Sequence, residues 1–312
     1  MAETQCGLCI FWLSGAVADM GNTAKRAGGA SGLASPASRM TGIPHQPGCG
    51  QASLPMYDWP EEHSTTAGFW QQIRDRVKLQ APNINFPENL TFVNGDPAPH
   101  WRAERPVFSQ SCWGPLVAGL LMELRPLAQP DYSAFVGGDG PLYRSVLVTR
   151  DGPVAPVPAG QGASTLQDVL QGRRFGFNNS TSLSGLIAPA RDLGISPAAL
   201  MKTSVETGSH RASVRAIADG TIDVAAIDCR SWMLACRHEL AAARLVTAGW
   251  TALRPGLPYV TSCHTALDTR AALTAALISL GCFAVGYGPR YPLPAITAPY
   301  RACGAAILVT GQ

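Results

Sequence analysis

Apolar and polar residues follow two distinct periods along the first third of the chain, and each period predicts one kind of element. Short apolar runs bounded by turn residues predict strands at 52–57, 90–93 and 106–111. Apolar residues one helical turn apart predict an amphipathic helix at 68–79, and a continuous apolar stretch predicts a second helix at 116–124. This alternation of strands and helices favours an α/β fold with a mostly parallel sheet.

A second series of the same kind runs from residue 143 to residue 248. Strands are predicted at 143–150, 174–177, 202–206, 222–227 and 244–248. Helices are predicted at 166–170, from about Ser184, at 209–219, at 231–236 and at 269–280. The Pro- and Gly-rich segment 151–162 predicts a loop beside a crossing between domains. The second series therefore predicts a second α/β unit.

The first fifty residues lack this patterning. Residues 19–50 are dense in Gly, Ala, Ser and Pro, and such a stretch buries too little apolar surface to order itself. The apolar stretch 6–15 precedes Ala16-Val17-Ala18, which fits a secretory cleavage site, although no positive charge stands before it. We therefore predict that 1–50 is a disordered leader or a signal region. No apolar run reaches the roughly 18 residues needed to cross a bilayer.

Composition and charge narrow the class of partner. Hydrophobic residues make up 46% of the 312 residues and charged residues 14%, which is typical of a globular protein. The formal charge of +3 is dispersed, and no basic run is interleaved with aromatic residues, so nucleic acid is not predicted as a partner. Only Cys6 and Cys9 of the nine cysteines form a CxxC pair, and the sequence has no second such pair to complete a metal site. We therefore predict neither a metal site nor a cofactor.

The sharpest candidate site follows the strand predicted at 174–177. A run of hydroxyl and amide side chains, 178–182, leads into a helix that starts near Ser184-Gly185. Free backbone N–H groups and the positive end of the helix dipole converge at such a junction, which predicts an anion pocket. The alternative is plain N-capping by a serine or asparagine, which any strand-to-helix turn needs in some form.

Two further strand ends carry candidate ligand-binding residues. Ser209 and His210 follow the strand predicted at 202–206, where Ser209 could cap the helix and His210 could donate to an oxyanion or lie at the surface. Asp228 ends the apolar strand predicted at 222–227, and the ends of such strands face the ligand crevice of an open α/β sheet. Asp228 could instead cap the helix that follows it.

These features occur in the order found in one protein family. The matching stretches are 52–58, 109–116, 143–146, 182–185 (SLSG), 207–213 (TGSHRAS), 225–228 (AAID) and 256–262 (GLPYVTS). Together they resemble the phosphonate/sulfonate/transferrin-type solute-binding proteins of ABC transporters. The resemblance implies the type II periplasmic binding protein fold, in which two α/β lobes, each a mostly parallel sheet flanked by helices, are joined by two hinge crossings. Lobe I would comprise 51–147 plus 248–312, and lobe II would comprise 148–247.

The resemblance also implies roles for the matching positions of lobe II. Ser182, Ser184 and Gly185 would supply hydroxyl and backbone donors to an oxyanion at the helix start. His210 would add a further donor beside Ser209. These five residues therefore form one expected half of a ligand site, built from two neighbouring strand ends.

The remaining expected ligand contacts face this group. Asp228 would hold a cationic or hydroxyl part of the ligand, while Tyr57 and Trp113 would close over it from lobe I. Aromatic walls with a few placed polar groups are typical of a small-molecule cleft. One position departs from the family, because phosphonate binders carry a hydroxyl residue between the two serines, whereas Leu183 stands here. One donor is therefore missing, and the resemblance leaves the identity of the ligand open.

The function that the resemblance implies is transport. We expect a periplasmic monomer that captures a small, oxyanion-bearing ligand by hinge closure and delivers it to an ABC permease in the membrane. No GxSxG, HExxH or Walker motif is present, so an enzyme is not predicted. Two alternatives stay open. One is an enzyme on the same fold that uses Cys112 or Cys229 beside His210, and the other is a cytoplasmic ligand sensor.

Overall fold

The computed structural model describes residues 50–93, 95–103 and 105–285. The predictions for the leader up to residue 49 and for the tail beyond residue 285 lie outside this part of the chain. Within it, no helix combines the length and the apolar character that a membrane span requires.

Helices and strands alternate along the described chain. The α-helices are α1 (His63–Gln80), α2 (Ala98–Ala103), α3 (Trp113–Val117), α4 (Leu166–Leu170), α5 (Ala188–Asp192), α6 (Pro197–Met201), α7 (His210–Ala218), α8 (Cys229–His238) and α9 (Leu267–Ser279). The strands are β1 (Ser109–Gln110), β2 (Leu124–Gln129), β3 (Gly138–Asp139), β4 (Leu142–Tyr143), β5 (Ser145–Thr149), β6 (Phe175–Phe177), β7 (Val205–Glu206), β8 (Val224–Asp228), β9 (Val246–Trp250), β10 (Arg254–Pro255), β11 (Tyr259–Ser262) and β12 (Phe283–Ala284). Short 3-10 turns occur at Pro55–Tyr57, Pro60–Glu62, Leu120–Met122 and Leu240–Arg244, and a π-helical turn at Leu183–Ile187 leads into α5.

The larger sheet has five strands in the order β7-β6-β8-β5-β9. β6 pairs in parallel with β7 and with β8, whereas β5 runs antiparallel to both β8 and β9. Four strands therefore point the same way, as the sequence predicts, and β5 is reversed. The path of the chain explains the reversal, because β5 begins with Ser145 opposite Asp228 and so starts at the edge where β8 ends.

The smaller sheet, in the order β1-β11-β2-β12, departs from the predicted parallel arrangement. The pairings of β11 with β1 and β2, and of β12 with β2, are antiparallel, and a parallel bridge joins Ala52 to Phe108 just before β1. The physical reason is that β11 returns from the far end of the chain, enters between β1 and β2, and runs against both. A further sheet, β10-β4-β3, is an antiparallel meander.

Two predicted strands of the first third are reduced to single contacts. The strand predicted at 52–57 is limited to the bridge at Ala52, because Pro55 has no N–H for a ladder and begins a 3-10 turn. The segment 90–93 forms no strand within the described residues, although the N–H of Thr91 donates to the carbonyl of Ala52 at 2.7 Å.

The helix predicted at 116–124 is interrupted at Gly119. This glycine has a φ of +142°, a conformation that side-chain-bearing residues rarely adopt, so α3 ends at Val117 and β2 begins at Leu124. The other predicted helices and strands are confirmed, with ends that differ by a few residues. Such shifts are expected because local patterning fixes the middle of an element better than its ends.

Strand β8, which ends in the candidate site residue Asp228, lies in the protein interior. All five residues of β8 are buried, because this strand lies between β6 and β5 in the interior of the larger sheet. Its last residue, Asp228, is therefore held inside the protein with 2% of its surface exposed.

On the smaller sheet, the stacked rings of Trp70, Phe108 and Tyr259 join α1 to β11, with centroids 5.1 and 5.5 Å apart.

Candidate ligand-binding cleft

Ser182 organises the start of the helix that follows β6. Its backbone is extended, and its hydroxyl accepts a hydrogen bond from the backbone N–H of Gly185 at 3.0 Å. The N–H groups of Leu186 and Ile187 both donate to the Ser182 carbonyl, which widens the first turn into a π-helix. Ser182 therefore caps the helix, the alternative that the sequence left open, and it also lines a cleft.

A close approach makes glycine necessary at position 185. A Cβ placed there would lie 1.9 Å from Oδ1 of Asn178 and 3.0 Å from its Cγ. Asn178 follows directly after β6 and lines the cleft, and its Oδ1 has no hydrogen-bond partner in the described part of the chain. The sequence pattern marks 178–182 as one polar run, and it does not single out Asn178 as the residue that shapes the helix start.

Three polar side chains from three elements meet beside this turn. The hydroxyl of Ser184 lies 2.8 Å from Nε2 of His210, and the same nitrogen lies 3.4 Å from Oδ2 of Asp228. The hydroxyls of Ser182 and Ser184 are 3.3 Å apart. Ser184 and Asp228 are buried, and the His210 side chain is 12% exposed. The ends of β6 and β8 and the start of α7 thus converge on one place.

Burial governs the charge of His210. Its enclosure lowers the pKa of the imidazole, and the Asp228 carboxylate opposes this with a smaller effect. We therefore assign a neutral ring. A proton on Nε2 suits both neighbours, because the Asp228 carboxylate accepts and the Ser184 hydroxyl can do so. Nδ1 is then an acceptor, and among the described residues it has no hydrogen-bond partner.

Asp228 ties the larger sheet to the beginning of the folded chain. Its Oδ1 accepts the backbone N–H of Ser231 at 3.0 Å and the hydroxyl of Tyr57 at 3.1 Å. The Tyr57 hydroxyl lies 3.1 Å from that of Tyr132, which accepts the N–H of Leu257. Asp228 therefore caps α8, one of the two roles that the sequence allowed, and it also lines the cleft. A ligand contact by Asp228 stays a prediction.

The two predicted aromatic residues of the first half differ in their placement. Tyr57 is buried, and the guanidinium carbon of Arg230 lies 4.2 Å from its ring centre. Trp113 begins α3 and is buried in the core, and its indole N–H has no partner within the described structure. Cys112 and Pro115, which flank Trp113 in the sequence, line the cleft. Tyr57 thus reaches the polar cluster through its hydroxyl, whereas Trp113 supports the wall.

Ser209 acts as the cap of α7. Its hydroxyl accepts the N–H of Ala212 at 3.0 Å, which confirms the capping role. The residue is exposed and lines the cleft together with Thr207 and Gly208. A ligand contact by Ser209 stays a prediction.

These residues surround a cleft of about 1070 Å³. Its walls come from two separate parts of the sequence. The first part supplies Met56, Asp58, Trp59, Cys112 and Pro115, and the second supplies Asn178, Ser182, Ser184, Ser209, His210, Arg211 and Asp228. A space of this size, with a few convergent polar groups, suits a small-molecule ligand.

Sequence reasoning missed a charged group at the edge of the cleft. Arg211 lines the cleft, and its guanidinium carbon lies 4.3 Å from the ring centre of Trp59. Its guanidinium also donates to the carboxylates of Glu61 and Glu239. Arg211 lies in the TGSHRAS run, but Glu61 is 150 residues away, so no local pattern could have paired them.

The two cysteines considered as nucleophiles are buried. Burial raises the pKa of Cys112 and of Cys229, and among the described residues no hydrogen bond joins either sulfur to His210. Over the same described ranges, no three His, Cys, Asp or Glu side chains are grouped as ligands for a metal ion.

The sequence matches one protein family. A family model described as "ABC transporter, phosphonate, periplasmic substrate-binding protein" matches residues 118–282, more than half of the 312 residues. The matched span contains the strand ends that carry Ser184, His210 and Asp228. A comparison with curated proteins finds no significant match.

Several solved structures are similar to this one. XAC2383 from Xanthomonas citri, bound to chloride, shares 14% identity at a TM-score of 0.57, covering 81% of this chain and 97% of that one. PhnD1 from Prochlorococcus marinus, in complex with methylphosphonate, shares 15% identity at a TM-score of 0.54, and the match covers 74% of this chain and 84% of that one. A binding-protein component of an ABC phosphonate transporter from Pseudomonas aeruginosa shares 15% identity at a TM-score of 0.50, and the match covers 80% of this chain and 79% of that one. At such identities the likeness concerns the fold, and it confirms the predicted two-lobed α/β architecture.

Proposed function

We propose a transport function from one premise: this chain belongs to the family of periplasmic substrate-binding proteins of phosphonate ABC transporters. The protein captures a small oxyanion-bearing ligand in the cleft and delivers it to a membrane permease. The family is one of solute-binding proteins, and the resemblance found in the sequence is thereby confirmed. The identity of the ligand and the pairing with a permease are our proposal.

The observation that carries the proposal is the meeting of Ser184, His210 and Asp228 in the cleft, with the Tyr57 hydroxyl on the same carboxylate. Hydroxyl groups beside a helix start offer donors to an oxyanion without a fixed positive charge. Ser182 and Ser184 supply two such hydroxyls, 3.3 Å apart. A small tetrahedral oxyanion therefore matches the donors on this wall.

A hinge between two lobes is consistent with the path of the chain. β5 begins, and β9 ends, at the same edge of the larger sheet, and Val148 lies opposite Thr247 on these neighbouring strands. The predicted crossings near residues 148 and 248 fall within β5 and β9. Two adjacent connections permit one lobe to rotate against the other, and a ligand that contacts both walls would stabilise the closed form.

The alternatives gain less support. An enzyme that uses Cys112 or Cys229 needs a thiolate beside a base, and the raised pKa of both cysteines opposes this. We place the protein in the periplasm as a monomer, with an ABC permease as its partner, because that is how such a binding protein would work. A cytoplasmic sensor would use the same cleft, so cell fractionation separates the two proposals: intact Met1 in the cytosol would contradict transport.

Calorimetric titration with methylphosphonate and with phosphate tests the ligand site. We expect micromolar or tighter binding, weakened roughly tenfold or more by Ser184→Ala and by His210→Ala, because each removes a hydrogen bond to a charged ligand. Ser279→Ala and His264→Ala are matched controls at exposed positions outside the cleft and should keep wild-type affinity. Unchanged affinity in both cleft variants, or turnover of either compound, would overturn the proposal.

A further inference from the structure

We infer that one helical segment, residues 183–192, couples the ligand site to the two places where the chain crosses between sheets, with Ser145 and Asp192 holding its ends. The segment comprises the π-helical turn, which carries Ser184, and α5. Neither Ser145 nor Asp192 is among the residues that line the described cleft, so both act as positioning residues. This inference rests on the proposed function, because it assigns to them the link between ligand capture and closure.

The chain crosses between the meander and the larger sheet twice. The single residue Arg144 links β4 to β5, and residues 251–253 link β9 to β10. The two crossings are joined to each other, because the N–H of Thr251 donates to the Ser145 carbonyl at 2.9 Å and the N–H of Ser145 donates to Oγ1 of Thr251 at 2.8 Å. A rotation of the meander against the larger sheet would act at these residues.

The meander is held to the smaller sheet by two buried glutamines. Nε2 of Gln129, in β2, donates to the carbonyl of Gly256 at 2.9 Å, and Nε2 of Gln110, in β1, donates to that of Leu257 at 3.1 Å. Both carbonyls lie directly after β10. Arg254 of β10 therefore moves with the smaller sheet, and the second crossing separates it from the larger sheet.

The first end of the segment bonds to the first crossing. The hydroxyl of Ser145 donates to the backbone carbonyl of Ser184 at 2.9 Å, and both residues are buried. In a π-helical turn a carbonyl accepts from the residue five positions on, which for Ser184 is Pro189, and proline has no N–H. The N–H four positions on, that of Ala188, donates to the carbonyl of Leu183. The Ser145 hydroxyl therefore supplies a donor in place of the missing N–H.

The other end of the segment bonds to the second crossing. Oδ2 of Asp192 accepts the N–H of Ala252 at 2.8 Å, and its Oδ1 accepts a hydrogen bond from the guanidinium of Arg254. The side chains of Asp192 and Arg254 are 8% and 13% exposed, so this pair lies in a poorly solvated place where its hydrogen bonds are strong. α5 itself packs on the larger sheet, where Ala190 shares a buried cluster with Leu147 of β5. Asp192 therefore joins the larger sheet to the strand that moves with the smaller one.

These bonds occur together with contacts that span the cleft. The Tyr57 hydroxyl donates to Asp228 in the same arrangement. A rotation at the second crossing would separate Arg254 from Asp192, so this pair favours the closed cleft. A ligand oxyanion on Ser184 would favour the same setting from the other end of the segment, and the two effects reinforce each other.

Asp192→Asn tests the second crossing. We expect the ligand-free variant to have a larger radius of gyration than wild type in small-angle scattering, and its affinity for methylphosphonate to fall roughly threefold to tenfold. Saturating methylphosphonate should return the radius to that of ligand-bound wild type. A residue that only stabilises the fold would lower the melting temperature and leave the ligand-free radius unchanged. Asp168→Asn, at an exposed position in α4, is the matched control.

A double-mutant cycle identifies the partner of Asp192. Arg254→Gln should weaken methylphosphonate binding on its own and have little further effect once Asp192→Asn is present, because both variants break the same pair. Additive losses would assign the two residues to separate roles and overturn the inference.

Ser145→Ala tests the first crossing without removing a charge, so it also serves if Asp192→Asn fails to fold. We expect affinity for methylphosphonate to fall about threefold, because the Ser184 carbonyl loses its donor. Pro189→Ala adds a backbone N–H that can donate to the same carbonyl, so the double variant Ser145→Ala/Pro189→Ala should regain most of the affinity. Wild-type affinity in Ser145→Ala, or no recovery in the double variant, would contradict the link.

The scattering measurement needs no ligand, and it separates this inference from the proposed function. A ligand-free radius in Asp192→Asn equal to that of wild type would overturn the inference while leaving a binding protein in place. Failure of methylphosphonate and phosphate to bind wild-type protein would instead overturn the proposed function.

Discussion

The guanidinium of Arg211 donates to both carboxylate oxygens of Glu61, at 3.0 and 2.8 Å, although the two residues are 150 positions apart. Glu61 belongs to a 3-10 turn before α1, whereas Arg211 lies in the first turn of α7. Arg211 and Arg215 both bind Glu239. We call these four residues the charged clasp, and it joins the first part of the folded chain to the helices of the larger sheet at the edge of the cleft.

The clasp should favour the closed cleft. Glu61→Gln removes one charge and leaves the fold intact, so we expect methylphosphonate affinity to fall by roughly two- to fivefold, the modest effect typical of an exposed ion pair. Small-angle scattering of the ligand-free variant should show a larger radius of gyration than wild type. Glu88→Gln, at an exposed position outside the clasp, is the matched control. An unchanged radius and affinity in Glu61→Gln would remove the clasp from the closing mechanism.

The clasp should also depend on pH in a defined direction. Hydrogen bonds from Arg211 lower the pKa of Glu61 to about 2, and those from Arg215 and Arg211 lower the pKa of Glu239. A carboxyl group with a lowered pKa stabilises the folded state above its ordinary pKa, and this contribution is lost as the pH falls through the lowered value. The difference in urea unfolding between wild type and Glu61→Gln should therefore be constant above about pH 5 and shrink towards about pH 2. A difference that persists at low pH would argue against the ion pair.

Gly185 should tolerate no side chain while Asn178 is present. Gly185→Ala places a Cβ 1.9 Å from Oδ1 of Asn178, so we expect a loss of about 1–3 kcal/mol in the free energy of unfolding and weaker ligand binding. Removing the amide in the double variant Asn178→Ala/Gly185→Ala should restore much of the stability. Gly162→Ala, where no heavy atom lies within 4 Å of the added Cβ, is the control. If the double variant is as unstable as the single one, the close approach is not the cause.

Arg144 should be essential for stability and not for ligand binding. Its side chain is 2% exposed and donates to the carbonyls of Pro158, Gly160, Gly162 and Thr251. Arg144→Leu removes these hydrogen bonds and leaves the buried carbonyl of Thr251 without this donor, so the free energy of unfolding in urea should fall by about 3 kcal/mol. The exposed Arg244→Leu should change it by less than about 0.5 kcal/mol. Equal stability of the two variants would contradict this role.

Local sequence patterns predict much of the site. Ser182 and Asp228 stand at the ends of apolar strands, and His210 follows the more polar strand predicted at 202–206, so local patterns place all three near strand ends. The capping roles of Ser182 and Ser209 follow from their residue types at helix starts. What local reasoning could not supply was the partner of each group, such as Tyr132 on the hydroxyl of Tyr57.

The amino-acid sequence by itself determined the order of strands and helices, the polar residues at the strand ends and the family. These follow from periods and motifs that neighbouring residues share. The tertiary structure alone decided the antiparallel entry of β11 between β1 and β2, the hydrogen bond between Tyr57 and Asp228 across 171 residues, and the clasp. Such contacts depend on how the sheets and helices pack, because burial selects which distant polar groups must satisfy one another, and no local pattern encodes that choice.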